Sequence, residues 1–140
     1  MNQKIVLLIL LLSCLGCKTE QINQKIDKKK EGKWIDIYVQ DNIQYKSIEY
    51  YKHNEPVKKW KSYINGKIHK IEKYKNGICY VKNYYENGKI ESKGKTKIDS
   101  EAKLTHWYYF GDWKYYSDKG KYIAIKEYYD GKLISEQFNP

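Results

Sequence analysis

Three cysteines and three histidines are the residues best equipped for nucleophilic, redox or metal chemistry, and their spacing limits what they can do. Cys14-Leu15-Gly16-Cys17 forms a C-x-x-C pair, a spacing that serves redox dithiols and half-zinc sites. It borders an apolar run at residues 5–12, with no βαβ pattern around it and no second pair downstream. The remaining thiol, Cys79, stands alone in the β-rich stretch "NGICYVKNYY" and is expected to be a small buried strand residue. His53, His69 and His106 form no H-x-H, H-E-x-x-H or Cys/His cluster. The short acids Asp41, Asp118 and Asp130 fall at expected turns, where Asp is favoured locally. No nucleophile elbow, P-loop or dinucleotide fingerprint appears. The expectation is a non-enzymatic protein with no cofactor and no metal.

The cysteine pair is better read with the residues before it. One Lys precedes an apolar span of eight, far short of the about 20 residues that cross a bilayer as a helix. A charged start, a short apolar centre and small residues before a cut describe an export signal. "LLSC" at 11–14 resembles the bacterial lipobox, with Leu three residues before the cysteine and a small residue next to it. "CLGC" at 14–17 resembles it less, because Cys14 takes the place usually held by Leu. The resemblance implies lipidation at Cys14, with Cys17 as the alternative, by palmitate-like acyl chains, several of which anchor stably where one does not. It places the protein at a bacterial cell envelope, on the periplasmic or surface face of a membrane. Residues 1–17 are thus expected to be a lipoprotein signal, 18–31 a polar tether, and 32–140 the folded domain.

Composition bounds that domain. Of the 140 residues, 31% are charged and 16% aromatic, with sixteen Tyr, four Trp and two Phe. Disordered chains are poor in aromatics, so most of this chain should fold. Tyr combines an apolar ring with a wet hydroxyl and suits a thin sheet solvated on both faces. The formal charge is +10, and all 27 basic residues are Lys. Without Arg forks the chain lacks the usual device for gripping guanine edges or phosphates in a bidentate manner, so no specific nucleic-acid partner is expected. Interleaved Lys and Tyr still suit nonspecific contact with an anionic surface.

The chain also repeats itself. Turn glycines recur in "INGKI" (Gly66), "KNGIC" (Gly77), "ENGKI" (Gly88), "DKGKY" (Gly120) and "YDGKL" (Gly131), in steps of eleven within each group. Counting back eleven from Gly66 reaches Glu55, and counting forward from Gly88 reaches Asp99 and then Phe110 beside Gly111. Eleven residues suit one strand and a tight turn. Asn-Gly between β-rich runs is the strongest local hairpin signal, since a type I′ turn needs φ > 0 at both central positions. Strands joined by such short turns are antiparallel neighbours. The expected fold is all-β: an antiparallel β-meander of repeated hairpins, about eight to ten strands in a single elongated twisted sheet.

"YFGDWKYYSDKGK" at 109–121 resembles the MORN repeat: an aromatic residue, Gly, an acid and Trp, followed by a tyrosine-rich strand and a glycine turn. "EGKW" at 31–34 resembles a shorter copy. "YYENGKI" and "YYDGKLI" resemble the bacterial MORN-variant repeat of exported proteins and of a family described as antitoxins. The Gly-x-Gly second half of the eukaryotic pattern is missing from "SKGKTK" at 92–97. The resemblance implies a non-catalytic protein-interaction module with a protein partner in the envelope. Its alternatives are an antitoxin or immunity protein neutralising a toxin, or a surface for anionic lipid or polysaccharide. Trp34 and Trp113 occupy the repeat's Gly-x-Trp place and are expected to pack. Trp60, Trp107, Tyr84 and Tyr128 are the candidate partner-binding residues, because exposed Trp and Tyr are the usual anchors of recognition.

Overall fold

The computed structural model describes residues 21–99 and 106–140. They form one antiparallel meander of eleven strands: β1 (Gln24–Ile26), β2 (Lys29–Gln40), β3 (Ile43–Lys52), β4 (Glu55–Pro56), β5 (Lys59–Ile64), β6 (Lys67–Lys75), β7 (Ile78–Tyr84), β8 (Ile90–Asp99), β9 (His106–Tyr116), β10 (Tyr122–Tyr129) and β11 (Lys132–Phe138). The order across the sheet is the order along the chain, with β4 pairing only β3. Strands β1 and β11 end the sheet and do not meet, so it is open.

Local turn chemistry explains this simplicity. Asn65-Gly66, Asn76-Gly77 and Asp130-Gly131 have positive φ at both residues, as type I′ turns require. Asp27-Lys28, Asp41-Asn42 and His53-Asn54 adopt the same pairs of angles without glycine. The β7–β8 turn departs from the expected type I′ form: Gly88 lies at φ 80° but Asn87 does not share the left-handed region. There the Tyr85 amide donates to the Lys89 carbonyl and the Gly88 amide to the Tyr85 carbonyl, both at 2.9 Å. The Ser117–Lys121 turn repeats that pattern around Gly120. The two loops lie side by side, with Asn87 Nδ2 donating to the Asp118 carbonyl at 2.7 Å.

Several expectations from the repeat count need correction. The turn before β4 is His53-Asn54, so the glycine place falls on Asn54 and not Glu55. Gly111 lies inside β9, where a bulge, not a turn, uses its positive φ. The sheet also begins earlier than residue 32. The turn at Asp27-Lys28 folds Gln24–Ile26 back onto Lys29–Glu31, so part of the stretch expected as a tether is paired backbone. Polar side chains do not prevent this, because an edge strand exposed on both faces needs only its ladder bonds. Cys14 and Cys17 lie outside the described residues.

The core is a thin seam on one face. Trp34, Tyr51, Trp60, Tyr74 and Trp107 form a continuous row, with ring centroids 6.1, 4.8, 4.8 and 5.6 Å apart. Between Tyr74 and Trp107 the row crosses β7 and β8 over the small residues Cys79 and Thr96, both buried. Cys79, Val81 and Trp113 are the buried centre. Burial holds the Cys79 thiol up at about 11, so it is protonated at neutral pH.

Candidate lysine groove

Pleating sends alternate side chains to opposite faces, and directly paired residues share a face. Trp60, Tyr74, Val81, Gly94 and Trp113 lie on the aromatic face. Their sequence neighbours Lys59, Lys73, Lys82, Lys93, Lys95 and Lys114 therefore share the other. The register sets several of these lysines directly opposite each other: Lys59 against Lys73, Lys82 against Lys93, and Lys93 against Lys114. A second line runs Lys73, Tyr80, Lys95 and Phe110.

These six lysines line a groove of about 460 Å³ with Tyr80, Tyr84 and Ile71. Asp112 is the one acid among its lining residues. None of the six makes an ion pair with a described residue. The Lys93 and Lys95 ammonium groups instead lie 5.1 and 5.0 Å from the ring centroids of Tyr116 and Phe110. Like charges directly opposite on neighbouring strands are unfavourable, and the strands are only ~4.8 Å apart.

Asp112 and its cross-strand partner Glu127 share the lysine face, but three further acids sit on the other side. Glu72 pairs with Lys70 at 3.2 Å and Glu136 with Lys126 at 2.7 Å. Glu49 accepts a 2.7 Å hydrogen bond from the Tyr51 hydroxyl. All three carboxylates belong to the aromatic face, so the register balances charge on that face and leaves the lysine face cationic. An array of six ammonium groups around an exposed phenol ring, outnumbering the acids on its face, can hold carboxylate, sulfate or phosphate groups.

The four sequence-derived partner candidates do not come together. Tyr84 lines the lysine groove. Trp60 sits in the aromatic row, its indole N–H donating to the Tyr50 carbonyl at 2.9 Å. Trp107 packs on Tyr74 and lines a separate hollow on the aromatic face with Glu72, Asn83 and His69. Tyr128 stands edge-on to Tyr109 at 5.3 Å, against the buried cluster. The turn glycines Gly66, Gly77, Gly88, Gly120 and Gly131 all have positive φ and lie at strand connections away from the groove. His53 lies in the β3–β4 turn, His69 at a bulge in β6, and His106 opens β9. Among the described residues no group of three or more His, Cys, Asp or Glu is placed to hold a metal.

Sequence reasoning missed the groove lysines. The available signal was Lys at every second position in "SKGKTK", which places Lys93, Lys95 and Lys97 on one face of a strand. Comparison of the chain with family models, with characterised proteins and with solved structures finds no match.

Proposed function

We propose that this protein is a non-catalytic recognition module, lipid-anchored at a bacterial envelope, that holds an anionic partner in the lysine groove. The carrying observation is that Lys82, Lys93 and Lys114 stand directly opposite one another without an acid among them. Such an arrangement costs stability in the isolated sheet and is relieved by a bound anion. The resemblance to MORN-variant repeats and the lipobox-like "LLSC" support a binding role at the envelope. The groove adds a sign to the expected partner: it is negative.

The test is the salt dependence of polyanion binding by the full chain. Affinity should fall steeply between about 50 and 200 mM salt, because each neutralised charge releases counterions. Lys93→Glu should abolish binding, whereas Lys25→Glu, in β1 and away from the groove, should leave it. Binding that is insensitive to both salt and Lys93→Glu would refute the reading.

A further inference from the structure

The two lines of groove residues narrow the chemistry of the ligand, an inference that rests on the anionic-partner reading. Lys82, Lys93 and Lys114 follow one another across β7, β8 and β9 at the interstrand spacing of ~4.8 Å. The parallel line of Lys73, Tyr80 and Lys95 lies two residues along the strands, ~7 Å away. A chain laid along the first line meets a cation on each of β7, β8 and β9 and Ile71 on β6, with the Tyr80 ring two residues from Lys82 on β7. Tyr80 is 45% exposed and directly flanked by Lys73 and Lys95.

Three features select among polyanions. The spacing of one charge per strand is close to the length of one sugar in an extended pyranose chain. Lys is a point charge with no fork, which suits isolated carboxylates or sulfates better than bidentate groups. The Tyr80 ring, beside Ile71 in the groove lining, offers an apolar surface that a pyranose C–H face can cover and that a polyphosphate cannot use. The lysines also line a recess, which admits a polymer chain more readily than the plane of a bilayer.

We propose that the groove binds a linear anionic polysaccharide carrying one acidic group per sugar. The polymer runs across β7 to β9, its charges on Lys82, Lys93 and Lys114, with the sugar beside Lys82 stacked on Tyr80.

Affinity measurements on the purified full chain with polygalacturonate test this, alongside its neutral methyl ester, polyphosphate, poly-glutamate and phosphatidylglycerol vesicles. Polygalacturonate should bind most tightly at equal charge and salt, and the methyl ester should not bind. Lys82→Gln with Lys93→Gln should weaken polygalacturonate at least tenfold. Tyr80→Ala should weaken it severalfold while Tyr80→Phe retains binding, with circular dichroism confirming that each variant keeps its sheet. If polyphosphate, poly-glutamate or vesicles bind more tightly, or Tyr80→Ala has no effect on polygalacturonate, the polysaccharide assignment is overturned and the anionic groove stands. If no polyanion binds at low salt, or the lysine variants bind as well as the parent, both fall.

Discussion

Gly94 lies directly beneath the indole of Trp113, so close that a β-carbon at residue 94 would overlap the ring. The contact exists because β9 bulges. Between the pairs Lys93–Lys114 and Lys95–Phe110, β8 supplies one residue and β9 supplies three. Gly111 takes φ 61° within the bulge, Trp113 folds over the opposing strand, and its N–H donates to the Lys95 carbonyl at 3.0 Å. Tyr109 then stacks on the indole at a centroid distance of 4.2 Å. Gly94→Ala should therefore force the largest buried side chain out of place. An overpacking cost of roughly 1–3 kcal/mol is expected. Thermal unfolding would register it as a clearly lowered Tm, and an unchanged Tm would mean that the indole has room to move.

The same backbone device occurs elsewhere with a less suitable residue. Gly32, Lys58 and Gly111 each have positive φ two positions before a Trp. At Lys58, φ is 61°, and the bulge there separates β4 from β5. The left-handed conformation costs a non-glycine residue about 1 kcal/mol, partly offset by the freedom glycine adds to the unfolded chain. Lys58→Gly should raise stability by up to about 1 kcal/mol, while Gly111→Val should lower it by more than that. Denaturant unfolding of the two variants would show opposite signs, and destabilisation by Lys58→Gly would count against the bulge.

The lysine face predicts a trade between stability and binding. Removing the central charge of the Lys82–Lys93–Lys114 line with Lys93→Gln relieves repulsion on both sides. The variant should gain a few tenths of a kcal/mol at low salt, and the gain should shrink as added salt screens the charges. A loss of stability at low salt would show that the ammonium groups do not repel one another.

Alkali should destabilise the aromatic face. Burial raises the Cys79 thiol from an ordinary value of 9.0 to about 11. Burial, and for Tyr51 the carboxylate of Glu49, also raise the Tyr51 and Tyr74 phenols well above their ordinary 10.0. Each group is held neutral in the fold and ionises more readily in the unfolded chain. The native state therefore binds more protons above about pH 9, and stability falls as pH rises. Unfolding midpoints should be level from neutral pH to about 9 and decline beyond it. Iodoacetamide should leave Cys79 unmodified at pH 7 until the chain is unfolded.

Truncation tests whether the sheet is an open array. Apart from β3 and β5, which pair past the two-residue β4, each strand pairs only its chain neighbours, and β10 and β11 lie at one end. Removing residues 121–140 should leave a β-rich protein with β9 as a newly exposed edge, prone to self-association. Gel filtration and circular dichroism would reveal a folded, stickier species. Total loss of β structure would refute local stacking.

The hairpins were legible in the local sequence. Asn-Gly and Asp-Gly pairs between tyrosine-rich runs set turns by local backbone preference, so strand order followed without any long-range information. The resemblance to the MORN repeat also marked Trp34 and Trp113 for packing, and Trp113 is fully buried. Which side chains share a face depended on the assembled sheet. His69 in β6 and Glu91 in β8 are extra residues at bulges, and β9 carries two more against Gly94. Such insertions change how residues on neighbouring strands line up, and an insertion of one reverses the alternation that a period-two reading extends along the strand. Counting elevens therefore put Glu55 and Phe110 at turns they do not occupy, and it could not see that Lys82, Lys93 and Lys114 align. Their convergence depends on register between strands, a property of the paired backbone that no single segment encodes.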